Sequence, residues 1–553
     1  MQKSNDLNPR LPNPLDEGEP TIPKPTIPAG QPKPTVPKPS PTHPSPFPSG
    51  PPFHVAQPSP IQHIFVLMLE NRSFDHMLGF SGISGTDAVT GKPTTINGLT
   101  GTESNTYNGR KFTVQRGADS MMPHDPAHEF PDVVTQLAGQ DATYPGGGQY
   151  PKITSSGYVA SYVRSGGGDN PEEVMKCYTP QQLPALIALA KEFVVCDNWY
   201  ASLPGPTWPN RMFAHAASSN GLDHSPSNGE IVDWELFDGF EFPHGSIFDA
   251  LNRAHLNYRI YAGDDFPMVS GLKGITIFDV RDFSDNFARD VRSAGFNAQY
   301  AFIEPSYDAL NDYKDGTSQH PLGNVARGDA LIRATYEAIR NSPIWDQSML
   351  IITWDEHGGF YDHADSGQPP QCVAPGDTRP HSEFNQYGFT FEHFGPRVPA
   401  IIVSPLVPKN LIDHRIYDHS SIPATIERNF NFGALTQRDA KAKSVNTLAT
   451  LSKARTDTPS TLPGWLSAIP LLNITTHVPV RAQPVARPTA TVNEGNLPVI
   501  LHAAMRQDLQ ISPPELRLAI IARVRAIQTR AQAFEYIQEV EQKVRPKRVV
   551  AAA

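Results

Sequence analysis

The feature that most constrains the fold is a largely apolar run at residues 61–69, which polar side chains follow. A strand this apolar is typical of a parallel sheet that is covered on both faces. Glu70 and Asn71 follow it directly. Because ligands bind beyond the carboxyl ends of strands in open α/β sheets, the pattern predicts a site there. The alternative is that Glu70 and Asn71 only begin a helix capped by Ser73 or Asp75.

A hydroxyl group at a predicted helix start forms a second candidate element. Residues 193–196 indicate a strand, and a turn rich in glycine and proline separates it from a helix that begins near Pro209. Thr207 therefore lies at a helix N-terminus, where threonine is a common cap. The same position favours an oxyanion, and Arg211 adds positive charge. Thr207 is either a cap or a hydroxyl placed to attack phosphorus.

Two adjacent carboxylates follow another predicted strand, residues 349–354. Asp355 and Glu356 repel each other unless a cation or a proton separates them. The glycines at 358–359 allow the backbone to turn sharply behind them. The spacing suits a hard metal ion bound through oxygen, with the Asp-His pair at 362–363 supporting the ligands or contacting phosphate. The alternative is an acidic surface loop.

A fourth segment, residues 394–405, is a predicted buried strand bounded by turn-forming residues. Its Arg397 is expected to brace the site. Downstream, residues 417–425 open a helix, and His419 is either a helix-terminal residue or a remote member of the site. We favour the structural role for His419.

Taken together, the four segments resemble the phosphoesterase family that contains bacterial phospholipases C and acid phosphatases, and they are similar to plant non-specific phospholipases C. The resemblance spans about residues 61–450. The matching blocks are ENRSFDH at 70–76, PTWPNR at 206–211, TWDEHGGFYDH at 353–363 and GPRVPAIIVSP at 395–405. The resemblance implies an α/β fold: a three-layer α/β/α domain like that of alkaline phosphatase, with a large, mostly parallel central sheet.

The resemblance also assigns roles to residues of this chain. The implied metal ligands are Glu70, Asn71 and Asp355, with Glu356 beside them. The implied catalytic residues are the nucleophile Thr207 and the groups around the phosphate, His320, His128, Arg211 and His363. Oxygen and amide ligands favour Ca²⁺, Mg²⁺ or Mn²⁺, and the nearby histidines keep Zn²⁺ compatible. The loop 364–370 departs from the proline-rich stretch of relatives, which leaves substrate preference open.

The predicted function is metal-assisted hydrolysis of phosphate esters through a phospho-threonine intermediate, of the phospholipase C type on glycerophospholipids. One alternative is a broad-specificity acid phosphatase that acts on monoesters. Another is a catalytically silent binding protein, against which the intact Thr207, Glu70 and Asp355 argue. Several aromatic residues in the motif loops either contact lipid headgroups or pack around the site; they are Trp199, Tyr200, Trp208, Phe360 and Tyr361.

Composition excludes some classes of partner and location. The net charge of −10 and the lack of a long basic block argue against nucleic acid. The three cysteines match neither a zinc site nor a disulfide framework. No apolar stretch approaches the ~20 residues of a membrane span, and no conventional signal peptide is evident. We therefore expect a cytoplasmic protein or one exported by a non-classical route. The family resemblance, not the composition, implies phospholipid or phosphate-ester substrates and is compatible with peripheral membrane contact.

Four regions are predicted along the chain. Residues 1–60 hold 19 of the 56 prolines and are expected to form a disordered, extended tether. Residues 61–455 form the phosphoesterase domain, and residues 456–511 an irregular linker. Residues 512–545 are predicted as one amphipathic helix that begins with a capping box at Ser512.

Deletion of residues 1–55 is expected to leave the turnover of a soluble substrate nearly unchanged. The segment ends before the first predicted strand and contains none of the four motifs. Comparison of kcat/KM and Tm for the truncated and full-length proteins checks this. A large drop in either value would show that the N-terminal segment packs on the catalytic domain.

Overall fold

In the computed structural model, the structure describes residues 59–363, 371–378, 383–465 and 485–552, with side chains up to residue 547. The predicted tether at residues 1–60 therefore lies almost entirely outside the described residues, as does the loop 364–370. Among the described helices, none combines the length and the apolar character needed to cross a membrane.

The strands are short except for two that carry the site. In chain order, they are β1 (His63–Leu69), β2 (Ser84–Asp87), β3 (Pro93–Thr95), β4 (Ser104–Tyr107), β5 (Arg110–Thr113), β6 (Gln115–Arg116), β7 (Lys176–Cys177), β8 (Val194–Cys196), β9 (Trp199–Tyr200), β10 (Tyr258–Ala262), β11 (Val280–Asp282), β12 (Tyr300–Glu304), β13 (Ser348–Trp354), β14 (Ala400–Val403), β15 (Leu411–Asp413) and β16 (Tyr417–Asp418).

A ten-stranded sheet forms the centre of the molecule, in the order β11-β10-β12-β1-β13-β14-β8-β15-β2-β3. Only the β13–β14, β14–β8 and β2–β3 pairs are antiparallel. Every residue of β1 and β13 is buried, as expected for strands covered on both faces. The predicted α/β class with a large, mostly parallel central sheet is therefore confirmed.

The α-helices precede, connect and follow these strands. They are α1 (Phe130–Ala138), α2 (Tyr158–Arg164), α3 (Pro184–Glu192), α4 (Thr207–Ala216), α5 (Asn228–Asp233), α6 (Ile247–Arg253), α7 (Ala288–Arg292), α8 (Val325–Arg340), α9 (Ser421–Phe430), α10 (Gln437–Lys441), α11 (Leu497–Ile511), α12 (Arg517–Arg525) and α13 (Arg530–Ala552).

The C-terminal region differs from the prediction in two ways. Helix α11 lies within the stretch predicted as linker, and its first twelve residues, 497–508, are buried. The single helix predicted over 512–545 is wrong, because α12 ends at Arg525 and α13 begins at Arg530. Between them, the main-chain N–H of Thr529 donates to Gln532 Oε1 (3.1 Å), and the N–H of Gln532 donates to Thr529 Oγ1 (3.3 Å). This reciprocal cap starts a new helix and interrupts the apolar periodicity.

Parallel pairing brings the motif segments to one edge of the sheet. Leu69 at the end of β1 pairs with Trp354 at the end of β13. Strand β8 is antiparallel to β14, which is antiparallel to β13, so β8 points in the same direction as β13. The segment after β8 that leads to Thr207 therefore leaves the sheet at the edge where β1 and β13 end.

Candidate active site

Glu70 and Asp355 are neighbours because they follow the paired ends of β1 and β13. The N–H of Asn71 donates to Asp355 Oδ1 (3.0 Å), and so does the N–H of Glu356 (2.7 Å). Asn71 adopts a left-handed backbone conformation (φ 60°), which asparagine tolerates better than most residues. Asp355 and Glu356 are both fully buried, which excludes the acidic surface loop considered above.

The glycine pair at 358–359 is required by close packing, of Gly358 against Asn71 and of Gly359 against Pro126 and Ala127. Gly358 and Gly359 have φ of 65° and 71°. A Cβ atom on Gly358 would lie 2.1 Å from the carbonyl oxygen of Asn71. The N–H of Gly358 donates to Glu356 Oε2 (2.7 Å), so the turn also orients this carboxylate. The sharp turn predicted from the sequence is present.

Thr207 is the first residue of α4, and Pro206 occupies the N-cap position. The helix start is therefore as predicted, but Thr207 does not serve as the cap. Its hydroxyl instead donates to Asn71 Oδ1 (3.3 Å), and the residue is 4% exposed. The hydroxyl thus contacts a predicted metal ligand at the positive end of a helix dipole.

Arg211, one turn further along α4, contacts the carboxylate cluster. Its Nε donates to Asp355 Oδ2 (2.8 Å) and its Nη2 to the carbonyl of Leu69 (2.9 Å). Nη1 is buried and has no hydrogen-bond partner among the described residues. The predicted contact of Arg211 with phosphate therefore depends on Nη1, while the rest of the guanidinium group fixes Asp355.

His128 lies against both Asn71 and Glu356. Its Nε2 is 3.1 Å from Asn71 Nδ2 and 4.0 Å from Glu356 Oε1, and its Nδ1 is 2.7 Å from the carbonyl of Pro126. Burial lowers the pKa of His128, but attraction to Glu356 and Asp125 outweighs that effect and raises the pKa to about 10. The neighbouring carboxylates therefore favour the protonated form of the imidazole.

His320 reaches the same region from the loop after β12. Arg72 holds this loop by donating from Nε to the carbonyl of Gln319 (2.7 Å) and from Nη2 to that of His320 (3.3 Å). The imidazole ring of His320 stacks on Tyr313 with 3.5 Å between ring centroids, and its Nε2 is 3.5 Å from Asp125 Oδ2. Burial holds the pKa of His320 well below its ordinary value, and His128 and Arg72 lower it further.

His363 joins a different set of charged groups. Its Nδ1 lies 2.7 Å from Asp75 Oδ2 and its Nε2 3.1 Å from Asn97 Oδ1. Arg397 donates to both oxygens of Asp362 (3.0 Å each) and to Asp75 Oδ1 (3.1 Å). Arg397 thus braces the loop after β13, as expected from the sequence. The catalytic role of His363 stays a prediction.

His419 supports the site from α9's N-terminal side. Its Nε2 is 2.6 Å from the carbonyl oxygen of Asp355, and Nδ1 accepts a hydrogen bond from Trp199 Nε1 (3.2 Å). The structural role favoured for it is consistent with these contacts.

The five aromatic residues of the motif loops are at most 8% exposed. They pack inside the protein and do not form a lipid-contacting rim.

Two of the three carboxylates at this edge, Glu70 and Asp355, have raised pKa values, whereas burial of the third, Glu356, is outweighed by attraction to His128 and by its hydrogen bonds, which lower its pKa. Burial raises the pKa of Glu70, and the proximity of Asp355 raises it further. Burial also raises the pKa of Asp355, although Arg211 opposes the change. A bound cation would reverse both shifts by stabilising the ionised carboxylates. The cluster is therefore electrostatically suited to a cation.

The donor atoms fit a hard divalent cation, although the fit depends on an amide as well as carboxylates. Within the described ranges, no group of three or more His, Cys, Asp or Glu side chains is arranged to hold a metal ion. Oε1 of Glu70 and Oε1 of Glu356 are nevertheless buried and have no described partner within hydrogen-bond distance, while the Ser318 side chain lies near enough to Glu70 to stabilise its ionised form. Together with the Asn71 amide and Asp355, they offer the oxygen ligands that Ca²⁺, Mg²⁺ and Mn²⁺ prefer.

Comparison with known proteins assigns this site to a class. A family model described as the phosphoesterase family matches residues 61–433, so the chain belongs to that family and is a hydrolase that acts on ester bonds. The resemblance inferred from the four motif blocks is thereby confirmed.

Individual relatives agree with this class. Non-specific phospholipase C6 of Arabidopsis thaliana is 37% identical over 431 residues, which cover 74% of this chain and 77% of that protein. Phospholipase C B of Mycobacterium tuberculosis is 26% identical over 405 residues, covering 67% of this chain and 73% of that protein. A solved structure in the alkaline phosphatase superfamily, from Vibrio parahaemolyticus, is 14% identical with a TM-score of 0.28 and covers 48% of this chain and 66% of that one.

Several residues around the site escaped the sequence analysis. Asp125 contacts His320 and interacts electrostatically with His128, and Tyr313 stacks on His320. Gln136 of α1 is within 2.6 Å of His357 Nε2 and also donates to the carbonyl of Ala127 (2.7 Å). Asp125 lies three positions before His128, which the sequence analysis did name. Tyr313 and Gln136 carry no local signal, because only the fold brings them to the site.

Proposed function

We propose that this protein is a phospholipase C that hydrolyses glycerophospholipids through a covalent intermediate on Thr207. The observation that carries the proposal is the Thr207 hydroxyl at the start of α4, 3.3 Å from Oδ1 of Asn71, whose main-chain N–H donates to the Asp355 carboxylate. The names of the relatives, which are phospholipases C, support the choice of lipid phosphodiesters as substrates.

The proposed reaction is a double displacement. The Thr207 oxygen attacks phosphorus, the bond from phosphorus to the glycerol oxygen breaks, and diacylglycerol leaves after receiving a proton. Water then attacks the phospho-threonine, which releases the phosphorylated headgroup and returns a proton to Thr207. A divalent cation held by Glu70, Asn71, Asp355 and Glu356 would polarise the phosphoryl oxygens and lower the pKa of the hydroxyl.

The chain's own cationic and imidazole groups complete the proposed mechanism. His128 compensates charge on the equatorial oxygens of the phosphate and exchanges the proton with the leaving alcohol, while His320 contacts the phosphate as a neutral imidazole. Arg211 holds Asp355 in place and presents Nη1 towards the developing charge. The N-terminal N–H groups of α4 contribute the positive end of the helix dipole at Thr207.

A substrate panel tests the proposed function. Phosphatidylcholine and phosphatidylethanolamine vesicles are compared with an aryl phosphate monoester, each with and without chelator and with Mn²⁺ or Ca²⁺ restored. We expect release of diacylglycerol and phosphorylated headgroup, loss of activity with chelator and recovery with metal. Hydrolysis of the monoester alone would instead identify a phosphatase, and full activity in chelator would contradict the metal assignment.

A further inference from the structure

A segment outside the matched family region reaches the predicted metal ligands. Asn496 immediately precedes α11, whereas the family model ends at residue 433. Its side-chain Nδ2 donates to Glu70 Oε2 (2.7 Å), and its main-chain N–H donates to the hydroxyl of Tyr313 (2.9 Å). Both hydrogen bonds are buried, and Asn496 is 7% exposed. The C-terminal region is therefore in direct contact with the site.

The Tyr313 contact connects the same segment to His320. The Tyr313 ring lies parallel to the His320 imidazole, with an interplanar angle of 7°. Gly495 packs on the tyrosine so closely that a Cβ atom would lie 2.2 Å from the hydroxyl oxygen, and its φ of 53° also favours glycine. The Gly495–Asn496 pair thus fixes one side of the tyrosine that supports His320.

Helix α11 continues this contact towards the proposed nucleophile. His502 on α11 packs edge-on against Trp208, with ring centroids 6.2 Å apart, and Trp208 is the residue after Thr207. Arg506 of the same helix donates to the carbonyl of Leu272 (2.8 Å). The helix is therefore fixed to the catalytic domain at several points along its length, so Asn496 has a defined position.

The side chain of Asn496 does not perform the role usual for its place. An asparagine at a helix N-cap commonly accepts hydrogen bonds from the first turn. Asn496 makes no such side-chain cap in α11. Pro498, in the first turn, has no main-chain N–H, so one fewer N–H group there needs a hydrogen-bond acceptor. The amide is turned to Glu70 instead. A purely structural explanation based on helix capping therefore does not account for its orientation.

We propose that Asn496 is a positioning residue for Glu70. By holding Oε2, its amide fixes the rotation of the carboxylate and leaves the other oxygen, Oε1, free to bind a divalent cation. Groups that orient metal ligands in this way commonly change metal affinity by about 10- to 100-fold when removed. The inference rests on the proposed function in one respect, because it requires Glu70 to be a metal ligand.

The test measures Mn²⁺ affinity separately from catalysis. Asn496→Ala and the near-isosteric Asn496→Leu remove the donor, and isothermal titration with Mn²⁺ gives the dissociation constant of each full-length variant. We expect Mn²⁺ affinity to fall by about 10-fold or more in both, with a comparable loss of kcat/KM. Asn493→Ala is the matched control, because exposed Asn493 accepts a hydrogen bond from the main chain of Asn228 (2.9 Å). It should retain wild-type Mn²⁺ affinity.

Thermal unfolding separates positioning from general stabilisation. Mn²⁺ that binds the folded protein should raise Tm, and the stabilisation grows as RT ln(1 + [Mn²⁺]/Kd), so it begins at Mn²⁺ concentrations near Kd. If Asn496 positions Glu70, the Asn496 variants should need about 10-fold more Mn²⁺ for the same rise in Tm. If Asn496 were merely structural, the variants would have a lower Tm without metal but would need the same Mn²⁺ concentration as wild type. Wild-type Mn²⁺ affinity in either folded Asn496 variant overturns the inference.

Glu70→Gln distinguishes the two proposals. If this variant loses Mn²⁺ binding while the Asn496 variants keep it, the positioning role is wrong and the metal site stands. If the wild-type protein binds no Mn²⁺, or Glu70→Gln binds it as tightly as wild type, the metal assignment fails and the role of Asn496 fails with it.

Discussion

Thr207→Ala is expected to reduce kcat/KM by roughly a thousandfold or more, because it removes the atom that forms the covalent bond to phosphorus. The protein should remain folded. Pro206, not Thr207, occupies the N-cap of α4, so the substitution removes one hydrogen bond to Asn71, which contributes about 1 kcal/mol. Steady-state kinetics and thermal unfolding of the purified variant measure the two effects.

Thr207→Ser provides the matched comparison, because it retains the hydroxyl and loses only a methyl group. It should recover a substantial part of the wild-type rate. Rapid acid quenching during turnover of headgroup-labelled substrate should trap the phosphorylated headgroup on Thr207 in the wild-type protein and none in the alanine variant. An alanine variant that kept more than about a tenth of the wild-type rate would show that Thr207 is not the nucleophile.

Glu70→Gln and Asp355→Asn are each expected to lose bound metal and, with it, at least about a hundredfold in kcat/KM. Each removes one negative charge from a small set of oxygen ligands, which weakens a hard-cation site strongly. Asp355→Asn should also destabilise the fold, because buried Arg211 loses its ion-pair partner, a change that costs about 3–5 kcal/mol. Glu70→Gln is therefore the cleaner test.

Elemental analysis and activity measured side by side check this prediction. Glu515→Gln is a suitable control, since it makes the same chemical change at an exposed carboxylate before α12. It should keep both metal and activity. The assigned ligands would be refuted if the wild-type protein were active without bound metal and kept its activity in the presence of chelator.

The sequence was sufficient to predict those parts of the site that follow a single strand. The apolar runs before Glu70 and Asp355 predicted two buried strands, and the rule that ligands bind at the carboxyl edge placed both residues in one region. Their mutual contact follows from the pairing of Leu69 with Trp354. The turn at Gly358 and Gly359 was likewise predictable, since two consecutive glycines indicate a backbone conformation that other residues rarely adopt.

Other features depend on contacts between distant parts of the chain, which local patterns do not encode. Arg211 looked like a phosphate ligand because its charge lies near a helix start, yet most of its donors bind Asp355 and main-chain carbonyls. The break between α12 and α13 did have a local signal, the cap formed by Thr529 and Gln532. The periodic apolar residues on either side obscured it, because they fit one continuous helix equally well.

The hydrogen bond between Glu70 and Asn496 also has a consequence for synthesis of the protein. The two residues are 426 positions apart in the chain. At ribosomal rates of about 5–20 residues per second, this separation corresponds to roughly 20–90 s between their synthesis. The matched family region ends at residue 433, so the whole of it is synthesised before Asn496. Glu70 therefore gains this hydrogen-bond partner only after the region that supplies the other proposed ligands is complete.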